Sequence, residues 1–372
     1  MKISIFSAFP PFRGGISQFS TRLCEVLEKE HDLQIITFKS QYPNWIFPGK
    51  SQFDHNQKFS LKSRVYRKIS TLSWLSYVKT ARFIKQNNPD VFVTNYWMTF
   101  FSPFMGFLAR RLPKTTKKIA IVHNLNPHEK RLFDPYLNTY FLNSYDGFVA
   151  LSKHVYDDLK NHIDQNRIIL LPHPPYNQFG SKIDKIQAQK SLNLEMGKKT
   201  ILFFGIIRKY KGLDLLIQAF DHLDDSYQLL IAGEVYGKDD EIQTLIDQNK
   251  NKQRIHFFNQ FISDDKVSAF FSATDYLILP YRSGTQSGVA AIAQFYDIPI
   301  IATNTGGITE KLEKGRDIVI ENTDFQSIKN SILLAFSKDY TLNKHPDKRQ
   351  VFNYTWEEFT KEFIEFSKSI SK

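Results

Sequence analysis

Residues 203–213 read Phe203-Phe204-Gly205-Ile206-Ile207-Arg208-Lys209-Tyr210-Lys211-Gly212-Leu213. The apolar run Thr200–Phe204 ends at a glycine, and apolar residues then return at helical spacing over Leu213–Phe220. That is the pattern of a buried strand, a basic loop and the start of a helix. Fixed cations beside a helix N-terminus suit a diphosphate, and an arginine can grip one with two hydrogen bonds. A charge run of this kind is more often only solvated loop, but its place directly after a buried strand favours a ligand site.

Working outward, the same alternation recurs along the chain. Ile3–Phe6, Leu33–Phe38, Val91–Thr94, Ile119–Val122 and Gly147–Leu151 read as strands, with amphipathic stretches between most of them. A second set follows at Thr200–Phe204, Gln228–Ala232, Ile255–Phe258, Tyr276–Leu279, Ile298–Ala302 and Ile318–Ile320. Strands alternating with helices predict α/β architecture, with parallel sheets wound by crossover helices. Between the sets lie Pro172-His173-Pro174-Pro175 and a polar helix-like run from Lys182 to Leu192, where prolines stiffen the connection. The expected organisation is an N-terminal domain over 1–180, a second domain over 181–350 and a C-terminal helix over 351–372.

Composition sets the outer limits. The 372 residues are 42% hydrophobic and 23% charged, which excludes a disordered or collagen-like chain. Cys24 is the one cysteine, so neither a disulfide scaffold nor a multi-thiolate zinc site is available. The opening residues lack the pattern of a secretory signal, and no apolar run reaches the ~18 residues of a membrane span. A cytoplasmic location, in places peripheral to the inner face of the cell membrane, is the expectation.

Three more stretches could carry chemistry. Gly14-Gly15-Ile16 follows the first strand and precedes a helix written over Ser17–Glu28, so backbone N–H groups could meet a phosphate there. A plain strand-to-helix loop would read the same way. His123 closes the strand Ile119–Val122, where a histidine can reach a substrate oxygen; His173, between prolines, reads as structural. Finally Pro280-Tyr281-Arg282-Ser283-Gly284-Thr285-Gln286-Ser287-Gly288-Val289 places small and hydroxylic residues before a helix, and the following strand ends at Gly306-Gly307 with Glu310 beyond.

In this order and spacing the stretches resemble the retaining glycosyltransferases of family 4, which have the GT-B fold. The likeness runs from Gly14-Gly15 through His123, the proline linker, Arg208 and Lys211-Gly212 to Gly288–Pro299, the Gly306–Glu310 turn and Tyr354-Thr355-Trp356. It implies two doubly wound, Rossmann-like sheets facing a central cleft, with the last helix crossing back to the N-terminal domain. It further implies a nucleotide-sugar donor and a glycan or lipid-linked acceptor, in surface polysaccharide synthesis. Arg208 and Lys211 would hold the diphosphate, helped by N–H groups at Gly15-Ile16 and Gly288-Val289, and His123 would touch the donor sugar. Backbone at Gly205, Gly233 and Phe261-Ile262 would face the nucleotide. No cofactor or metal is implied, because the cations stabilise the leaving diphosphate.

Two departures from the family pattern stand out. Counting back from Pro299, the glutamate that would hold a ribose falls on Ile292, and its partner eight residues earlier falls near Gly284, with Thr285, Gln286 and Ser287 as the polar candidates. The arginine usual after the strand glycine is Ile206, which leaves Arg208 to reach in. A non-catalytic sugar-nucleotide binder and a sugar-nucleotide epimerase remain the alternatives.

The net charge is +11, and it is concentrated. Between His55 and His128 there are thirteen lysines and arginines against Asp90 alone, leaving the rest of the chain close to neutral. Arg64 to Gln86 can be written as one helix. With Arg64, Arg67, Lys68, Lys79, Arg82, Arg110 and Arg111, the block points to an anionic membrane surface. No recognition signature for nucleic acid accompanies the charge, so a nucleic-acid partner is not expected.

Overall fold

The computed structural model describes residues 1–42, 51–54, 61–126, 132–176, 178–237, 239–284, 287–337 and 354–370. The chain forms two compact units, Met1–Pro174 with Tyr354–Lys372, and Pro175–Asn353. It passes from one to the other between Pro174 and Pro175, where the sequence reading placed the division after residue 180.

In the first unit the strands are β1 (Lys2–Phe6), β2 (Asp32–Ser40), β3 (Val65–Ser70), β4 (Val91–Tyr96), β5 (Lys117–Val122), β6 (Gly147–Ala150) and β7 (Ile168–Leu170). The helices are α1 (Gly15–Leu27), α2 (Trp74–Asn87), α3 (Ser102–Arg111), α4 (Asp134–Leu142) and α5 (Lys153–Lys160). Among the described residues the strands pair in the order β3-β2-β1-β4-β5-β6-β7, every pair parallel. Alternate side chains of β1 enter different cores. Ile3 and Ile5 join Phe19 and Leu23 of α1, whereas Phe6 packs with Ile36, Phe92, Phe104 and Phe141. Both faces of the central strands are therefore apolar, as a parallel sheet requires.

The second unit repeats this plan. Its strands are β8 (Lys199–Phe204), β9 (Tyr227–Ala232), β10 (Ile255–Phe258), β11 (Tyr276–Leu279), β12 (Ile300–Thr303) and β13 (Ile318–Ile320). Its helices are α6 (Lys185–Ser191), α7 (Leu213–Phe220), α8 (Asp239–Gln248), α9 (Asp264–Ser272), α10 (Gly288–Phe295) and α11 (Phe325–Ala335). The sheet order is β10-β9-β8-β11-β12-β13, again all parallel. Ile201 and Phe203 face one core with Leu216 and Ile332; Leu202 and Phe204 face the other with Phe271 and Tyr296. In each unit the strand order reverses beside the first strand, at β1/β4 and at β8/β11, which opens a crevice at the carboxyl ends of those strands.

A last helix, α12 (Trp356–Ser369), returns the chain to the first unit. Thr355 and Glu358 form a reciprocal capping box, Thr355 Oγ1 accepting from the Glu358 N–H at 3.1 Å and Glu358 Oε2 from the Thr355 N–H at 2.7 Å. The helix then sets Trp356 and Phe359 against Phe19 of α1, with ring centroids 5.2 and 5.8 Å apart.

The single helix written over Arg64–Gln86 is not formed. Val65–Ser70 is an edge strand parallel to β2, and only Trp74–Asn87 is helical. Pairing with β2 decides this: Val65, Tyr66 and Arg67 stand opposite Ile35, Ile36 and Thr37, and after a register shift Ile69 stands opposite Phe38, fully buried, while Arg67 and Lys68 stay exposed. Charge on an edge strand also discourages pairing with another chain. Ser73 then starts the helix, its Oγ accepting from the Ser76 N–H at 3.4 Å. Short β7 had no apolar run long enough to stand out beside the proline linker.

The docking of α12 makes a stability prediction. Trp356→Ala removes a buried indole, 3% exposed, from the α1/α12 contact. The first unit should lose about 3–5 kcal/mol, read as an earlier urea midpoint with its slope unchanged.

Candidate active site

In the first unit the ends of β1, β4 and β5 converge on the start of α1. Gly14 adopts φ 106°, which bends the chain out of the β1 loop into the helix, and it has no side chain to cap the first-turn N–H groups. His123 follows β5, its backbone N–H donating to the Tyr96 carbonyl at 2.8 Å. Its ring is buried, 6% exposed, and lies edge-on to Phe19 with centroids 4.9 Å apart. Nε2 sits 2.9 Å from Asn95 Oδ1. The Asn95 amide nitrogen donates to Ser20 Oγ at 3.1 Å, and Ser20 is bonded in turn to the Ile16 carbonyl at 2.7 Å. One hydrogen-bond chain thus runs from His123 through Asn95 and Ser20, which the sequence reading missed, to Ile16 beside Gly14 and Gly15. A strand asparagine among apolar neighbours was the available signal. His173 packs against Phe19 and Trp356 at 5.0 and 5.9 Å, a structural position.

Burial pushes the His123 pKa down to about 3, so the imidazole is neutral at physiological pH.

In the second unit the loops after β8 and β11 meet. Gly205 has φ +97°, and a Cβ there would stand 3.4 Å from Lys211 Nζ and 3.3 Å from the Val289 side chain. Gly205, Lys211 and the first turn of α10 therefore share one spot. Gly212, at φ +69°, passes so close to the Pro280 carbonyl that a Cβ would sit 2.0 Å from it. Only glycine fits there. Lys211 is buried to 9% exposure. Among the described residues it forms no ion pair, and its ammonium lies 5.4 Å from the centroid of the Tyr281 ring. Burial lowers its pKa, and neighbouring Arg208 acts in the same sense. An uncompensated buried cation is poised for an anion.

Arg208 is exposed and rests its guanidinium over the Tyr236 ring at 5.4 Å. Ser287 caps α10, Oγ accepting from the Ala290 N–H at 3.4 Å, and Gly288-Val289 form its first turn. Tyr281, whose hydroxyl is bonded to Ser287, has its pKa raised to about 12 by burial. Gly233 follows β9 with its N–H donating to the Phe258 carbonyl at 3.1 Å. Phe261 is half-buried, and Ile262 is 6% exposed in the core. Thr285 and Gln286 lie outside the described residues. Ile292 is a core residue at 6% exposure, with no polar group to offer a ribose.

Arg282 went unnoticed as a working residue. It forms a two-pronged pair with Asp214, Nη1 to Oδ1 and Nη2 to Oδ2 both 2.7 Å. Nη1 also donates to the Lys209 carbonyl at 2.8 Å, and the Arg282 N–H donates to the Tyr210 carbonyl at 2.6 Å. One side chain so ties the loop carrying Lys211 to the loop after β11. Burial opposes ionisation of Asp214, but the guanidinium overrides it and holds the carboxyl below its usual range. Sequence could not pair residues so far apart.

Among the described residues no cluster of three histidine, cysteine or acidic side chains could hold a metal. The basic residues of the first unit are surface groups. Arg64, Arg67, Lys68, Lys79, Arg82, Arg110 and Arg111 are all exposed. Several lie over aromatic rings: Lys68 on Phe83 at 4.4 Å, Arg110 on Tyr140 at 4.5 Å and Arg111 on Phe107 at 4.9 Å. No described helix is long and apolar enough to cross a membrane.

Two parallel-sheet units, each with its polar groups at the reversal of strand order, have the GT-B fold. Residues 13–174 match the family model Glycosyltransferase Family 4, and residues 184–354 match Glycosyl transferases group 1. The chain belongs to family 4 of these enzymes. It is 25% identical over 371 residues to an uncharacterized glycosyltransferase of Methanocaldococcus jannaschii, covering 98% of this chain and 94% of that one. Among solved structures it is similar in fold to sucrose-phosphate synthase from Thermosynechococcus elongatus, with TM-score 0.78, 17% identity and coverage of 99% and 98%. Anabaena HepE in complex with UDP and glucose is equally similar, with TM-score 0.78, 13% identity and coverage of 99% and 100%.

The histidine supplies a test by pH. Because the fold lowers its pKa from 6.5, the neutral ring contributes stability in full above pH 6.5, and that contribution fades as pH falls towards 3. The His123 ring-proton resonance should stay fixed from pH 8 to 5. The first unit should melt at lower temperature at pH 5 than at pH 7.

Proposed function

We infer that the protein is a retaining, metal-independent hexosyltransferase that moves a sugar from a nucleotide-diphosphate donor to a glycan or lipid-linked acceptor, in surface polysaccharide synthesis. The observation that carries the reading is the buried Lys211 ammonium, without an ion pair among the described residues, beside Gly205 and the first turn of α10. A diphosphate there would gain a cation and helix N–H groups in a site that excludes water. As the bond to the sugar breaks, negative charge builds on the leaving diphosphate, and Lys211 with Arg208 stabilises it without a metal. His123 in the first unit is neutral and serves the sugar by hydrogen bonding, not by charge. HepE with UDP and glucose bound supports a uridine nucleotide as the first donor to try.

The basic surface supports peripheral attachment of the first unit to an anionic membrane, each near-surface cation contributing ~1 kcal/mol. Sedimentation with vesicles should rise with anionic lipid and fall with salt. Reversing Arg67, Lys68, Lys79 and Arg82 to glutamate should abolish it, and equal binding to neutral vesicles would remove this attachment.

A second reading, a sugar-nucleotide binder without turnover, is favoured by Ile292 standing where a ribose-binding carboxylate is expected. Incubation with UDP-, GDP- and ADP-sugars in EDTA decides between them. A transferase releases nucleoside diphosphate slowly, faster with acceptor, and yields a product of unchanged anomeric configuration. Lys211→Ala should lower kcat by about 10²-fold. Tight binding without release points to the binder, and an isomerised donor to an epimerase.

A further inference from the structure

The second unit carries a cavity of about 320 Å³ at the end of α7 remote from Lys211. Lys211 precedes that eight-residue helix while Asp221 and His222 follow it, so about 12 Å of helix separates the two places. Ile217 and Leu245 give the cavity apolar lining. His222 adds its ring, stacked on Phe325 with centroids 5.5 Å apart and planes at 25°. Phe325 is 38% exposed and opens α11, where Asp324 caps the helix by accepting from the Ser327 N–H at 2.8 Å. The turn that presents the ring is therefore fixed.

The polar lining selects the ligand. Among the described residues Asp221 is the one carboxylate there, and Lys250 already answers it. Its Oδ1 accepts from the Lys250 N–H at 2.6 Å, and its Oδ2 lies 3.5 Å from Lys250 Nζ. Asn249 is committed as well, its amide donating to the Ile217 carbonyl at 2.7 Å and its Oδ1 accepting from the Asn251 N–H at 2.8 Å. The groups that face a ligand are the exposed side-chain amides of Gln218 and Gln248, each able to donate and to accept. A fitting ligand is neutral, with hydroxyls around its edge and an apolar C–H face for the rings.

We propose that this cavity is a saccharide-binding site, separate from the Lys211 end of the sheet, that takes a sugar residue of the glycan acceptor or product. A glycan held there stays with the enzyme between transfers, at a raised effective concentration. That the sugar belongs to acceptor or product rests on the transferase reading; recognition of a saccharide by the cavity does not.

Saturation-transfer NMR on the full chain, free of nucleotide, tests this with the methyl glycosides of glucose, galactose, mannose and N-acetylglucosamine. At least one should bind with a Kd of about 1–10 mM. Phe325→Ala and Gln248→Ala should each weaken that binding about tenfold, and Lys211→Ala should leave it unchanged. With a polymeric acceptor, Phe325→Ala should raise the acceptor KM about fivefold at constant kcat. Failure of all four glycosides to bind at about 50 mM overturns the proposal. So does binding that Phe325→Ala and Gln248→Ala both leave intact, or that Lys211→Ala abolishes. If Phe325→Ala does not fold, Gln248→Ala at the exposed rim decides. If no donor is turned over, the transferase reading fails while glycoside binding still answers for the cavity.

Discussion

A central strand of a parallel sheet gives both faces to cores, and in this chain that leaves the strand ends as the place where polar chemistry fits. β1 divides its side chains between two apolar clusters, and β8 does the same. Polar atoms within those clusters would need partners and find few. The groups that bear on function therefore collect at the carboxyl ends of β1, β4 and β5 in one unit and of β8 and β11 in the other. The crossover helices begin there too, adding backbone N–H groups to the same places.

The two ends solve different electrostatic problems. Among the described residues the β8/β11 end leaves the Lys211 ammonium without an ion pair, and Arg282 and Asp214 hold the loop that carries it. The cost of desolvating Lys211 is offset only when a negative group arrives, which makes ligand binding and loop stability one quantity. The β4/β5 end is built from neutral groups around His123. Its polar groups satisfy one another in sequence from His123 to Ile16, and such a network is rigid because each hydrogen bond fixes the direction of the next.

Much of this was legible in the residues. Apolar runs bounded by glycine or charge located the central strands, and the loop 205–212 announced itself because a buried strand, three cations and a helix start stand together. The likeness to family 4 followed from order and spacing, and both family models bear it out. What could not be read depends on distance in sequence. Arg282 meets Asp214 only because β8 and β11 are neighbours in the sheet. Asn95 lay just beyond the strand read over Val91–Thr94, and only the pairing of β4 with β5 placed His123 beside it. The edge strand β3 reads as helix in the sequence because an edge strand lacks the apolar run that marks a central one.

The return of α12 has a consequence for how the protein is made. Phe19 and its neighbours on α1 emerge early in translation, yet the helix that covers them with Trp356 and Phe359 is encoded more than three hundred residues later. At ribosomal speeds of about 5–20 residues per second, this apolar strip stays bare for tens of seconds while the second unit is synthesised. The first unit thus waits for residues 356–369 to complete its core. A ribosome that stalls before residue 356 leaves a chain with a sticky helix face, which chaperones would hold and proteases would find.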